Sequence, residues 1–128
     1  MIDWDALIVE AKKARENAYA RFSNFKVGAA LLTNDGKIFS GCNVENSSYG
    51  LTNCAERTAV FKAVSEGYTK FKAIAVYADS NPPATPCGAC RQVLFEFNPD
   101  LEILCSNSMG ISEKFKLSEL LPEGFRLE

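Results

Sequence analysis

The stretch Phe71-Lys72-Ala73-Ile74-Ala75-Val76-Tyr77-Ala78 is apolar at every position except Lys72. A strand with one wet face alternates apolar and polar residues, so an unbroken run of this kind reads as a strand buried on both faces. Such a strand needs covering helices, and the flanking sequence supplies them. Upstream, Cys54 to about Glu66 carries Ala, Val, Phe and Lys at helical spacing and is stopped by Gly67, in the position favoured for a left-handed cap. Downstream, Asp79-Ser80-Asn81-Pro82-Pro83-Ala84-Thr85-Pro86 is a stiff loop that delivers the chain to Cys87. Ala89 to about Phe97 then reads as a helix and Leu101 to Cys105 as a strand.

Farther out, residues 3 to about 20 predict a helix, with Trp4, Ile8, Ala11, Ala14 and Ala18 along one face and Asp3 as its N-cap. Phe25 to Thr33 is a second largely apolar strand, and Asn34-Asp35-Gly36 has the turn chemistry of a hairpin returning through Lys37 to about Val44. Beyond Cys105, the turn Asn107-Ser108-Met109-Gly110 precedes a short strand around Lys114 to Lys116 and one helical turn, Ser118 to Leu121. This order points to an α/β fold, three-layered α/β/α with a mixed sheet of about five strands, in one domain over residues 1–128. In such sheets ligands gather at strand ends, where helix starts also point.

Composition narrows the partners. A net charge of -2 and a pI near 5.3, with Lys and Arg scattered among acids, leave no basic stripe for a phosphate backbone, so polymeric nucleic acid is not an expected partner. No apolar run approaches the roughly 20 residues of a membrane helix, and Met1-Ile2-Asp3-Trp4-Asp5 is acidic where a signal peptide would be basic. No membrane partner and a cytoplasmic location are therefore expected. Five cysteines, an odd number, argue against a disulfide framework and for metal or catalytic use. With no histidine in the chain, proton transfer near neutral pH falls to a carboxylate with a tuned pKa or to a metal-bound water.

Those requirements meet in two segments, Thr52-Asn53-Cys54-Ala55-Glu56-Arg57 and Pro86-Cys87-Gly88-Ala89-Cys90, each at a loop-to-helix junction. Free N–H groups at a helix start favour thiolates. Cys87 and Cys90 have the C-x-x-C spacing of a two-thiolate clamp, Cys54 offers a third soft ligand, and zinc suits an all-thiolate set. Three ligands leave a position for water. A closed site completed by Cys42 or Cys105, or a redox dithiol, stays open as an alternative. Glu56 reaches a metal shared with Cys54 only if that metal lies off the helix end, where it would exchange protons with bound water. Three thiolates around Zn²⁺ leave a net charge of about -1, which a guanidinium from Arg57 or Arg91 would offset.

These residues resemble the zinc signature of the cytidine deaminase family, in the version with Cys as first ligand. Phe25-Lys26-Val27-Gly28-Ala29-Ala30-Leu31, Gly41-Cys42-Asn43-Val44-Glu45-Asn46 and Glu119-Leu120-Leu121-Pro122 are also similar to the small homotetrameric members, so the likeness spans nearly the whole chain. The resemblance implies one Zn²⁺ per chain held by Cys54, Cys87 and Cys90, with Glu56 as proton shuttle. It implies hydrolysis of free cytidine and deoxycytidine to uridine and deoxyuridine plus ammonia, in pyrimidine salvage. Asn43 and Glu45 would read the ribose, Phe25 would line the nucleoside pocket, and the Ala55 carbonyl would accept from the exocyclic amine. Phe125, and with it Tyr49, would reach a neighbouring subunit's pocket in a homotetramer. Another zinc deaminase activity, on a different small cytosine-containing or purine substrate, is the alternative; a structural zinc module would instead leave Glu56 dispensable.

Overall fold

The computed structural model describes residues 1–127. Its elements in order are α1 (Trp4–Arg15), β1 (Val27–Thr33), β2 (Ile38–Cys42), a 3₁₀ turn (Tyr49–Leu51), α2 (Ala55–Ser65), β3 (Phe71–Ala78), α3 (Gly88–Phe97), β4 (Glu102–Ser106), β5 (Ser112–Lys116) and α4 (Leu117–Leu120). The five strands form one mixed sheet in the order β2-β1-β3-β4-β5. Only β3 and β4 pair in parallel, as their crossover through α3 requires; the other neighbours are antiparallel.

The central strand β3 is buried at every position except Lys72, which fits its unbroken apolar run. Its two faces feed two cores. Ala73, Ala75 and Tyr77 pack with Leu7 and Ala11 of α1. Phe71 and Ile74 pack with Ala59, Val60 and Ala63 of α2 and Leu94 of α3. The result is three layers, with α1 on one side of the sheet and α2 and α3 on the other.

Several element ends differ from the sequence pattern. The helix expected to run to about residue 20 stops at Arg15, although its cap is Asp3 as expected, accepting from the Ala6 amide at 3.1 Å. Three successive i→i−3 bonds, from Glu16, Asn17 and Ala18, tighten the end. Tyr19 then donates its amide to the Asn43 carbonyl and accepts from Glu45, bridging to Val44, so tertiary pairing overrides the apolar recurrence at Ala18. The first hairpin is also shorter than expected at both ends. β1 begins at Val27 rather than Phe25, and β2 ends at Cys42, because the Asn43 side chain takes over the backbone partners that strand pairing would have used.

The contact of α1 with β1 is close enough to be tested. A β-carbon at Gly28 would lie 1.8 Å from the Ala11 carbonyl oxygen and 2.8 Å from the Arg15 nitrogen, both helix backbone. Gly28→Ala is expected to lower stability by about 3 kcal/mol, the upper end for overpacking, read as a lowered melting temperature. An unchanged melting temperature would contradict this packing.

Candidate active site

Strand direction brings the functional segments to one end of the sheet. Val27 of β1 pairs with Ala78 of β3, and Gly28 pairs with Cys42 of β2, so the C-terminal ends of β2 and β3 lie at the same end of the sheet, flanking the start of β1. The chain leaving β2 enters α2 after Cys54, and the chain leaving β3 enters α3 after Cys87. Each cysteine occupies the N-cap position, in extended backbone, and Cys90 lies in the first turn of α3. Two helix N-termini thus converge, as the positions of their cysteines had suggested.

The sulfurs of Cys54, Cys87 and Cys90 all lie within 4.8 Å of one another and form the one such group of potential metal ligands among the described residues. Cys54 Sγ is 3.8 Å from Cys87 Sγ, which is 3.5 Å from Cys90 Sγ. Tetrahedral zinc with Zn–S bonds of about 2.3 Å separates its sulfur ligands by about 3.8 Å, so the three side chains fit that ion. The closed alternatives fall away on the same geometry. Cys42 and Cys105 are outside the group; Cys105 is buried in the α2-side core and burial pushes its thiol up to about 12.

Electrostatics around the cluster favour the thiolate at Cys54. Cys54 is held down at about 5, chiefly by a hydrogen bond from the Cys90 thiol and then by those from Arg57 and Cys87, against the opposing effect of burial. Cys90 is pushed up by the same pairing with Cys54 and by burial. Arg57 Nη2 donates to Cys54 Sγ at 3.2 Å, which places its charge on a ligand sulfur. Arg91, the other arginine considered for that role, is committed elsewhere: Nε donates to the Pro86 carbonyl at 2.7 Å, Nη1 to the Leu120 carbonyl at 2.9 Å and Nη2 to Thr85 Oγ1 at 3.2 Å. It braces the loop before Cys87.

Beside the sulfurs lies a cavity of about 210 Å³ lined by Phe25, Asn43, Cys54, Ala55, Glu56 and Cys87, among others. Glu56 is 5% exposed, and burial raises its carboxyl to about 7. Asn43 is buried, accepting from the Val27 amide at 2.9 Å and donating to the Phe25 carbonyl at 2.8 Å. That clamp fixes Phe25 at the cavity wall and leaves the carboxamide one further N–H and one lone pair. The Ala55 carbonyl lies against β2, where a β-carbon on Gly41 would come within 2.7 Å of it; as a first-turn residue, Ala55 also has an amide with no intrahelical acceptor.

Glu45 does not line this cavity. Its carboxylate accepts from the Phe22 and Ser23 amides at 2.9 and 3.1 Å and from the Ser23 hydroxyl, which holds it below the usual carboxylate range. It borders a second hollow of about 300 Å³ with Phe22, Tyr49 and Thr52, and Thr52 lines both spaces. Tyr49 meets Phe22 edge-on at 6.0 Å. Phe125 is 65% exposed and lies outside both hollows, its carbonyl held by Gln92 Nε2 at 3.1 Å. Thr52, Val76 and Thr85 line the cavity without having been singled out in the sequence, where they read as loop or strand positions without reactive chemistry.

Residues 2–105 match the family model for the cytidine and deoxycytidylate deaminase zinc-binding region. A cytidine deaminase of Sporosarcina psychrophila is 55% identical over 128 residues, covering 99% of this chain and 94% of the relative. One from Halalkalibacterium halodurans is 54% identical, with 99% and 97% covered. The crystal structure of cytidine deaminase from Burkholderia pseudomallei superposes with a TM-score of 0.93 at 56% identity, over 98% of this chain and 100% of that one. Sequence match, superposition and a three-thiolate cluster facing a buried carboxylate agree: the chain belongs to the cytidine and deoxycytidylate deaminase family.

Proposed function

We propose that the chain is a zinc-dependent hydrolase that converts free cytidine and deoxycytidine to uridine and deoxyuridine with release of ammonia. The observation that carries this reading is the meeting of three ligand sulfurs and the Glu56 carboxylate at one cavity. Zinc, when bound by Cys54, Cys87 and Cys90, would supply an activated water able to attack at neutral pH. As the water's oxygen bonds to carbon 4, Glu56 would carry one of its protons to ring nitrogen 3 and then the other to the amine, which leaves as ammonia when the C4–N bond breaks. A carboxyl raised to about 7 by burial is suited to both accepting and returning a proton.

The two hollows divide the substrate. The deeper one, about 210 Å³, takes the pyrimidine ring against Phe25; Ala55 offers its free first-turn amide to the base rather than the carbonyl that the resemblance implied, because that carbonyl lies against β2. The shallower one holds Glu45, whose carboxylate accepts from a ribose hydroxyl, while Asn43 offers its remaining N–H from the wall of the deeper one. No Lys or Arg lines either space, which suits a nucleoside without a phosphate.

The same proposal includes a homotetramer in the cytoplasm serving pyrimidine salvage. Exposed Phe125, remote from its own chain's hollows, is free to close a neighbour's pocket. Sedimentation of the purified protein as monomer alone would refute that part. Among the described residues no helix is long and apolar enough to cross a membrane.

Ammonia release and the ultraviolet change from cytidine to uridine test the activity directly; zinc-loaded protein inactive on both nucleosides would overturn it. Arg57→Ala is expected to lower kcat about 10-fold while zinc content falls less, because the guanidinium sits on a ligand sulfur without being a ligand. Full activity in that variant would remove Arg57 from the machinery.

A further inference from the structure

Gly41 pairs with Ala29 of β1 and is buried beneath α2. A β-carbon at this position would fall 2.5 Å from the Ala59 nitrogen, 2.7 Å from the Ala55 carbonyl oxygen and 3.0 Å from Thr58 Cβ. The first two are helix backbone, which no rotamer change can move aside, so a side chain here must lift the first turn of α2 off the sheet.

Thr58 ties that turn from within. Its Oγ1 donates to the Cys54 carbonyl at 3.2 Å and accepts from Asn53 Nδ2 at 3.1 Å, while its amide reaches the same carbonyl at 3.0 Å. The Cys54 side chain makes no capping bond to the first-turn amides of α2, so these contacts help hold the segment that a capping side chain would otherwise secure.

The placement bears on the sulfur cluster because its members ride on different helices. The 3.5 Å spacing of Cys87 and Cys90 is internal to one turn of α3. The 3.8 Å spacing of Cys54 and Cys87 spans two helices and depends on how closely α2 sits on β2.

We infer that Gly41 and Thr58 are positioning residues: they seat the first turn of α2 so that Cys54 joins Cys87 and Cys90 at metal-binding spacing and Glu56 reaches the same cavity. This rests on the reading of the cluster as the zinc site of the proposed hydrolase.

The test compares Gly41→Ala and Thr58→Val with Leu7→Ala, which hollows the core under α1 on the opposite face, where Leu7 is 1% exposed. Zinc release to a chelator, the absorption bands of the cobalt-substituted proteins, and kcat and KM for cytidine are measured on each. Both α2 variants are expected to lose zinc about 10-fold faster, shift the cobalt bands and lower kcat about 10-fold, with KM changed by less than about 3-fold. Leu7→Ala, with a comparable fall in melting temperature, keeps wild-type zinc release, bands and kcat.

Wild-type bands and zinc release in both α2 variants, or equal changes in Leu7→Ala, would overturn the assignment. If Gly41→Ala yields no folded protein, Thr58→Val decides alone, and a wild-type spectrum in it is sufficient to refute the role. Zinc and cobalt readouts need no substrate. A protein inactive on cytidine that still shows the α2-specific changes would sink the substrate reading and leave the positioning role standing.

Discussion

Glu56→Gln is expected to lower kcat for cytidine by roughly 10³- to 10⁴-fold while the protein keeps about one zinc per chain. The variant retains the shape of the side chain and its cavity wall, so the ring still has its place beside Phe25. What disappears is a group able to carry a proton. No histidine exists to substitute, and Glu56 is the one carboxylate lining the cavity beside the three sulfurs. Glutamine should also be tolerated structurally, since burial already disfavours the charged form of Glu56 and a neutral amide avoids that cost. Zinc content, melting temperature and kcat measured together separate the outcomes. Retained zinc with lost turnover supports the proton shuttle. Lost zinc would make Glu56 a structural partner of the cluster, and retained turnover would remove it from the mechanism.

The contrast between Glu56 and its neighbours shows what can be read from a one-dimensional pattern. Cys54, Cys87 and Cys90 were legible because ligand chemistry, helix-start position and C-x-x-C spacing are all local, and β3 was legible because burial on both faces leaves an unbroken apolar run. The overrun of α1 has the opposite cause: Ala18 continues the apolar recurrence, but Tyr19 bonds to Asn43 and Glu45, more than twenty positions away. The choice between Arg57 and Arg91 also needed the fold. Arg91 is beside Cys90 in sequence, yet its guanidinium is claimed by Pro86, Thr85 and Leu120, the last of these from the far end of the chain. Thr52, Val76 and Thr85 carry no reactive group, and only the meeting of strand end, loop and helix makes them walls of a cavity.

Removing zinc with a strong chelator is expected to abolish turnover and lower the melting temperature by about 10 °C without unfolding the chain at 25 °C. A ligand present at about 1,000 times its Kd stabilises the native state by about 4 kcal/mol, and a domain of this size shifts by about 3 °C per kcal/mol. A small zinc module would lose its fold outright, because metal binding is most of its folding free energy. Here neither core contains any of the three ligand cysteines, and the α2-side core is built mainly from Leu, Ile, Val, Ala and Phe packed on the sheet. The far-ultraviolet circular dichroism should therefore persist in the apoprotein. Readdition of Zn²⁺ should restore both activity and melting temperature; Mg²⁺, which prefers oxygen ligands, should restore neither. An apoprotein that unfolds would show the cluster to be a structural staple, whereas turnover surviving complete zinc removal would break the proposed chemistry. Persistence of the fold with loss of turnover is the pairing that an open three-cysteine site requires, since such a site leaves its fourth position to the reaction rather than to the scaffold.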